Sequence, residues 1–182
     1  MRKMQSTDGS SLYNSTQRVF LVRHAERFND SREDPPLTGE GKERAKALAD
    51  TLRDAGITAI ITSQWIRAKD TAQPLADLLK VTPQVIPTAD PPHGYFQATA
   101  NALRRLKDDT VLVVGHITIT NIIAELGGPQ LPTICENVFS DLFLLVPALG
   151  WNGLTRLSYG AVEDISPRCR NLPDLRLDPN YQ

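Results

Sequence analysis

Apolar residues along this chain gather in six short runs separated by longer amphipathic stretches. The runs are Val19 to Val22, Ala59 to Thr62, a weaker one from Gln84 to Ile86, Val111 to Val114, Leu142 to Val146, and Leu154 to Ser158. Their length and aliphatic content predict β-strands. Ala45, Leu48, Ala49 and Leu52 recur at helical spacing behind Thr38, a suitable N-cap, and Gly56 stands where that helix should stop. Ser63 opens a second helical stretch in which Pro74 predicts a kink or a fresh start, with Leu75, Leu78 and Leu79 on the buried face of its second part. Residues 98–106 and 119–126 supply two further helices, the last ending at Gly127-Gly128-Pro129. Strands alternating with helices predict an α/β fold: a three-layer α/β/α sandwich around a mostly parallel central sheet of about six strands. No helix of matching quality separates the last two strands, so one antiparallel edge strand is expected.

A chain of 182 residues holds one domain with a real core. Residues 1–17 are rich in Ser, Thr and Asn and predict a flexible N-terminal arm. The domain itself is expected over 18–160, and residues 161–182, with Pro167, Pro173 and Pro179, predict an irregular C-terminal tail. Charged residues make up 23% and the net charge is -1, so no long-range field draws the chain to nucleic acid or an anionic membrane. Any anion site must be local. The sequence has no apolar run long enough to span a bilayer and no apolar segment near its start, which as written predicts a cytoplasmic protein; an exported protein with its signal removed is the alternative. Cys135 and Cys169 are too few for a disulfide framework and are not spaced as metal ligands, so free thiols are expected, with a bridge between them as the alternative.

Ligands of open α/β sheets bind beyond the carboxyl ends of the strands, so polar residues directly after apolar runs carry the candidate chemistry. Three places qualify: Arg23-His24 after Val22, Ser63 to Arg67 after Thr62, and Gly115-His116 after Val114. The chain has three histidines, and two of them stand directly after strong strands. Alone, each reads as a structural histidine or a surface arginine. Together, two guanidiniums and two imidazoles at one mouth make sense around a phosphate-like anion, which relieves their mutual repulsion.

The stretches Leu21-Val22-Arg23-His24-Ala25-Glu26, Pro36-Leu37-Thr38-Gly39-Glu40-Gly41, Ser63 to Ala72 and Val113-Val114-Gly115-His116 resemble, in order and spacing over residues 18–160, the histidine phosphatase superfamily, also called phosphoglycerate mutase-like. The resemblance implies phosphoryl transfer through a phosphohistidine. His24 would attack phosphorus in line, and water would then hydrolyse the intermediate. Arg23, Arg67 and His116 would bind the phosphate with His24 and offset its charge. An attacking imidazole must be neutral, with its other nitrogen donating to an acceptor, for which a backbone carbonyl near Ala25 is the candidate. Glu26 is either an acceptor for an arginine or an exposed carboxylate.

One branch of the family places an acidic residue directly after the second histidine; Ile117 stands there, so the chain resembles branch 1, and its short segments point to the small phosphohistidine-phosphatase-like type. Branch 1 usually draws its proton donor, often a glutamate, from the segment after the second arginine motif. Between Val81 and Asp109 this chain has no glutamate. Asp90 is the candidate acid and His93 the second, against a plain turn role for Asp90 beside Pro91. Asn29, Ser31 and Arg32 could line the entrance, and Arg27 stands where the family often has Thr or Ser. The short connection from Leu79 to Ala98 implies an open site. The function expected is a phosphatase without metal or cofactor, acting on a phosphorylated small molecule or a phosphohistidine protein. Mutase-type transfer and a weakly active phosphoryl- or partner-binding module are the alternatives.

Overall fold

The computed structural model describes residues 17–88, 92–107 and 109–163. Within them β1 (Arg18–Arg23), β2 (Ala59–Thr62), β3 (Gln84–Val85), β4 (Thr110–Gly115), β5 (Asp141–Leu145) and β6 (Leu154–Ser158) form a sheet in the order β3-β2-β4-β1-β5-β6. Strands β1 to β4 pair in parallel. β5 runs antiparallel to β1, and β6 antiparallel to β5, which confines antiparallel pairing to one edge of the sheet. Four helices cover it: α1 (Gly39–Leu52), α2 (Ile66–Leu79), α3 (His93–Arg105) and α4 (Ile119–Glu125). A short 3-10 segment, Pro147–Gly153, joins β5 to β6. No helix of the described residues is long and apolar enough to cross a membrane.

Alternation along β1 and β4 explains the three layers. Phe20, Val22, Leu112 and Val114 face one side, where Leu48 and Leu52 of α1 and Ala68, Ala72 and Leu75 of α2 cover them. Val19, Leu21, Val111 and Val113 face the other, against Leu103 of α3 and Ile119, Ile122 and Ile123 of α4. Buried on both faces, these strands read as unbroken apolar runs.

Four local expectations need correction. Pro74 neither kinks nor restarts the second helix: α2 is continuous from Ile66 to Leu79. One hydrogen bond is lost there, but the buried stripe of Ala68, Thr71, Ala72, Leu75 and Ala76 runs past the proline and holds the helix. Leu75 and Leu79 pack inward while Leu78, off that stripe, is exposed. The third helix starts at His93, earlier than residue 98, because a proline-rich lead-in that reads as loop also suits a helix start, where no N–H bond is needed. Gln17, assigned to the arm, is fully buried, and its Nε2 donates to the carbonyls of Leu103 and Leu106 at 2.8 and 2.6 Å.

The start of α1 is fastened to the segment after β1. Thr38 caps the helix by accepting from the Gly41 amide at 3.1 Å, and its own amide donates to the Glu26 carbonyl at 2.9 Å. A Cβ on Gly41 would collide with that same Glu26 carbonyl, whereas one on Gly39 meets nothing within 4 Å. Gly41→Ala is therefore expected to lower stability by about 2 kcal/mol despite alanine's better helix propensity, and Gly39→Ala to leave it unchanged or raised, as urea unfolding would measure.

Candidate active site

The register of the sheet assembles the site. Arg23 pairs with Gly115 and Thr62 with Val114, so His24, His116 and Ser63 follow three neighbouring strands at one end. The His24 amide donates to the Gly115 carbonyl at 2.8 Å, and the rings of His24 and His116 lie 5.4 Å apart. Arg67 arrives from the first turn of α2. Its helix is tied to the tetrad by the fully buried Thr71, whose Oγ1 accepts from the Ala25 amide at 2.9 Å and donates to the Arg67 carbonyl at 2.7 Å. A cavity of about 300 Å³ opens here, lined by His24, Arg67 and His116 with Ser63, Thr88 and Thr118 and an apolar wall containing Trp65, Tyr95 and Phe96.

His24 is held as a neutral base. Its Nδ1 lies 2.8 Å from the Ala25 carbonyl, an acceptor only, so that nitrogen carries the proton and Nε2 keeps its lone pair. Nε2 is buried without a hydrogen-bond partner. Burial, with lesser help from the charges of Arg23, His116 and Arg67, pulls the imidazole from 6.5 down to about 3, although the Ala25 carbonyl opposes this. His116 falls to about 4 through burial and the nearby Arg23, against an upward pull from Glu136.

Arg23 is 3% exposed and is held chiefly by dipoles. Its Nη1 donates to the carbonyls of Cys135, Glu136 and Val138 at 3.0, 2.6 and 3.1 Å, and its guanidinium stacks on Phe139 at 4.1 Å. Nη2 meets the Glu136 carboxylate at 3.2 Å. Burial pushes Arg23 down to about 10, a value at which it remains charged near neutrality. The Arg67 guanidinium lies 4.8 Å over the Trp65 ring, and its Nη1 reaches Asp34 at 3.4 Å. The Asp34 carboxylate also accepts from the Ile66 amide at 3.0 and 2.9 Å, so one side chain both caps α2 and anchors its arginine. The Nε atoms of Arg23 and Arg67, like His24 Nε2, are buried without partners. Three unpartnered polar atoms on neighbouring residues, two of them on guanidiniums and one on a neutral imidazole, suit a tetrahedral oxyanion.

Of the remaining sequence candidates, Asp90 lies outside the described residues. His93 does not join this cavity: it is 64% exposed, 3.7 Å from Glu125, and lines a separate cavity with Asn121 and Gln130. Its helix carries it away from the mouth. Glu26 takes the arginine-acceptor role, with Arg44 as the arginine: Nε and Nη2 lie 2.8 and 2.7 Å from Oε1. Arg44 also pairs with Glu163, which accepts from the Phe139 amide and thereby fixes the ring beneath Arg23. Arg32 pairs with Asp30 and lies over Phe28 on the exposed loop. The half-buried Arg27 faces the centre closely enough for its charge to lower Arg23, Arg67 and His116. Cys135 is disulfide-bonded, correcting the expectation of free thiols, which rested on compartment frequency and not on where the chain brings the sulfur. Cys169 lies outside the described residues. Among the described residues no group of three or more His, Cys, Asp or Glu could hold a metal ion.

Sequence reasoning missed Asp34, Thr71 and Glu136. Thr71 was within a quoted motif, but the partners of Asp34 and Glu136 lie far along the chain and leave no local signal.

Residues 19–89 match the family model described as the histidine phosphatase superfamily (branch 1). A probable phosphoglycerate mutase, GpmB, of Yersinia enterocolitica is 46% identical over 65 residues, 32% of this chain and 30% of that one. The GpmB of an Enterobacter strain is 42% identical over the same length, so the match spans under a third of the curated relatives' length. In fold, the chain is similar to the protein histidine phosphatase SixA complexed with tungstate, with a TM-score of 0.59 and 24% identity over 79% of this chain and 96% of that one. It is also similar to a mycobacterial glucosyl-3-phosphoglycerate phosphatase, with a TM-score of 0.56 and 14% identity over 80% and 99%.

Two expectations follow. Because both histidines titrate far below 6.5 when folded, the unfolded chain binds more protons between about pH 6.5 and the folded values, so stability falls as pH drops through that window. Urea unfolding in phosphate-free buffer should show His24 alone removing about 2 kcal/mol between pH 7 and 5, and His24→Asn should shrink the decline. Asp34→Ala, by releasing Arg67, should weaken vanadate binding about fivefold in titration calorimetry, equivalent to about 1 kcal/mol.

Proposed function

We infer, for a chain that belongs to the histidine phosphatase superfamily (branch 1), that it is a metal-free phosphatase that hydrolyses a phosphomonoester or a phosphohistidine through a phosphohistidine on His24. The observation that carries this reading is the buried, neutral, partnerless Nε2 of His24 beside two guanidiniums and a second imidazole. In the first step the Nε2 lone pair forms a bond to phosphorus as the bond to the leaving group breaks. The proton on Nδ1 stays with the Ala25 carbonyl, which stabilises the cationic ring that results. Arg23 and Arg67 offset the charge on the equatorial oxygens, and His116 completes the cradle. In the second step water takes the leaving group's place, and phosphate departs as the electron pair returns to Nε2.

Mutase-type transfer is the second reading, favoured by the identity to GpmB over 65 residues. Against it stands the short connection between β3 and α3, residues 86–92, which offers little chain to shield a phosphohistidine from water. The phosphoryl donor on the preferred reading is a small molecule or a phosphohistidine protein. The disulfide at Cys135 weighs toward the exported of the two locations considered from sequence, since disulfides persist in oxidising compartments.

Hydrolysis of p-nitrophenyl phosphate tests the reading. His24→Ala is expected to lose turnover by about 10³-fold or more, and Arg67→Ala to raise KM and lower kcat together. Hydrolysis by His24→Ala at a rate comparable to the native chain would sink the mechanism. Conversion of 3-phosphoglycerate to its 2-isomer faster than hydrolysis of either would establish the mutase reading instead.

A further inference from the structure

Among the described residues, the walls of the cavity supply a nucleophile and the Arg67 guanidinium but little that can take a proton. His116 is neutral and weakly basic, and the rest are hydroxyls or apolar groups. The carboxylates nearby are mostly committed. Glu26 is bound to Arg44, Asp34 to the start of α2 and Arg67, and Glu125 faces His93 at a different cavity. Glu136 differs. Its backbone is pinned beside the residue that precedes His24, because its carbonyl and those of Cys135 and Val138 all accept from Arg23 Nη1. Its carboxylate reaches Arg23 Nη2 at 3.2 Å while its side chain stays 71% exposed, open to water. Its charge also raises the proton affinity of His116, so it faces the same centre.

Resting on the phosphohistidine reading, we propose that Glu136 is the general base of the second step. Its carboxylate takes a proton from the attacking water as the water oxygen bonds to phosphorus. The P–N bond breaks with its electron pair returning to His24 Nε2, and phosphate leaves. An ionised carboxylate has no proton to give and can only accept one. Departure of a leaving group that needs no protonation, such as p-nitrophenolate, therefore does not depend on it.

Rapid-quench kinetics with p-nitrophenyl phosphate separate this role from support of Arg23. Glu136→Gln keeps the neutral shape and the contact with Arg23 Nη2. Its expected behaviour is a burst of p-nitrophenolate at the native rate, steady turnover lowered about 10²-fold, and accumulation of an acid-labile phosphoenzyme. Vanadate affinity within twofold of native shows the cradle intact, and Glu136→Ala should repeat the accumulation. Steady turnover of Glu136→Gln within twofold of native overturns the proposal, and so does loss of its burst, which would mean that Glu136 only positions Arg23. Accumulation of phosphoenzyme in Asp90→Asn in place of Glu136→Gln also overturns it. Absence of phosphoenzyme from every chain, with His24→Ala still active, instead defeats the phosphohistidine reading, and Glu136 falls with it.

Discussion

Parallel pairing of β1 with β4 sets Arg23 opposite Gly115, and the bond from the His24 amide to the Gly115 carbonyl carries that ladder one step beyond the sheet. Because side chains alternate between faces, slipping this register by one residue would send Val19, Leu21, Val111 and Val113 to the wrong side and separate the two imidazoles at once. Core and site are thus set by one choice. Gly115 sits at the crossing point, where an added Cβ would meet Ile119 of α4 at 3.3 Å, so the turn from β4 into α4 leaves little room beside His116.

That geometry has an electrostatic consequence. A nearly buried arginine is costly unless its charge is satisfied, and the usual solution, a buried carboxylate, would also cancel its pull on an anion. Here the carbonyl dipoles of residues 135, 136 and 138 and the face of Phe139 do most of the holding. The guanidinium is anchored while its charge remains largely uncompensated. The same cations, together with burial, keep His24 neutral and therefore nucleophilic. On the proposed reading a phosphoryl group would satisfy every member of the set together, which no single internal carboxylate could do.

How much of this the sequence disclosed follows from where each signal resides. Strands β1, β2, β4 and β5, and the polar residues closing the first three, are visible because a strand buried on both faces must be apolar throughout and must stop abruptly where the core ends. Thr38 announces α1 because capping is a local bond. Pro74 misled because its penalty is local while the stripe that outweighs it is tertiary. The acceptors of Arg23, the Asp34 anchor of Arg67 and the Arg44–Glu26 pair join positions far apart in the chain, and nothing in the flanking residues marks either end. Sequence nominated the groups proposed to meet a phosphate, and only the fold revealed what holds them still.

The division of labour across the cavity bears on substrate choice. Arg67 brings charge to the side of His24, with Arg23 directly behind it in the chain, while the remaining wall offers Trp65, Tyr95 and Phe96 with the hydroxyl-bearing Ser63, Thr88 and Thr118. On the proposed reading, affinity comes chiefly from the phosphoryl group, and the leaving group meets aromatic surface and a few adaptable hydrogen bonds. Such a wall discriminates weakly between leaving groups by contact, because one methylene against an apolar surface changes binding by only about 1–3 kcal/mol. Among the described residues the wall offers no carboxylic acid to protonate a departing alkoxide, so selection then shifts to how readily the leaving group departs without one. That criterion favours a phosphohistidine or an acidic alcohol over a simple alkyl phosphate, and it follows from which residues line the cavity rather than from its size.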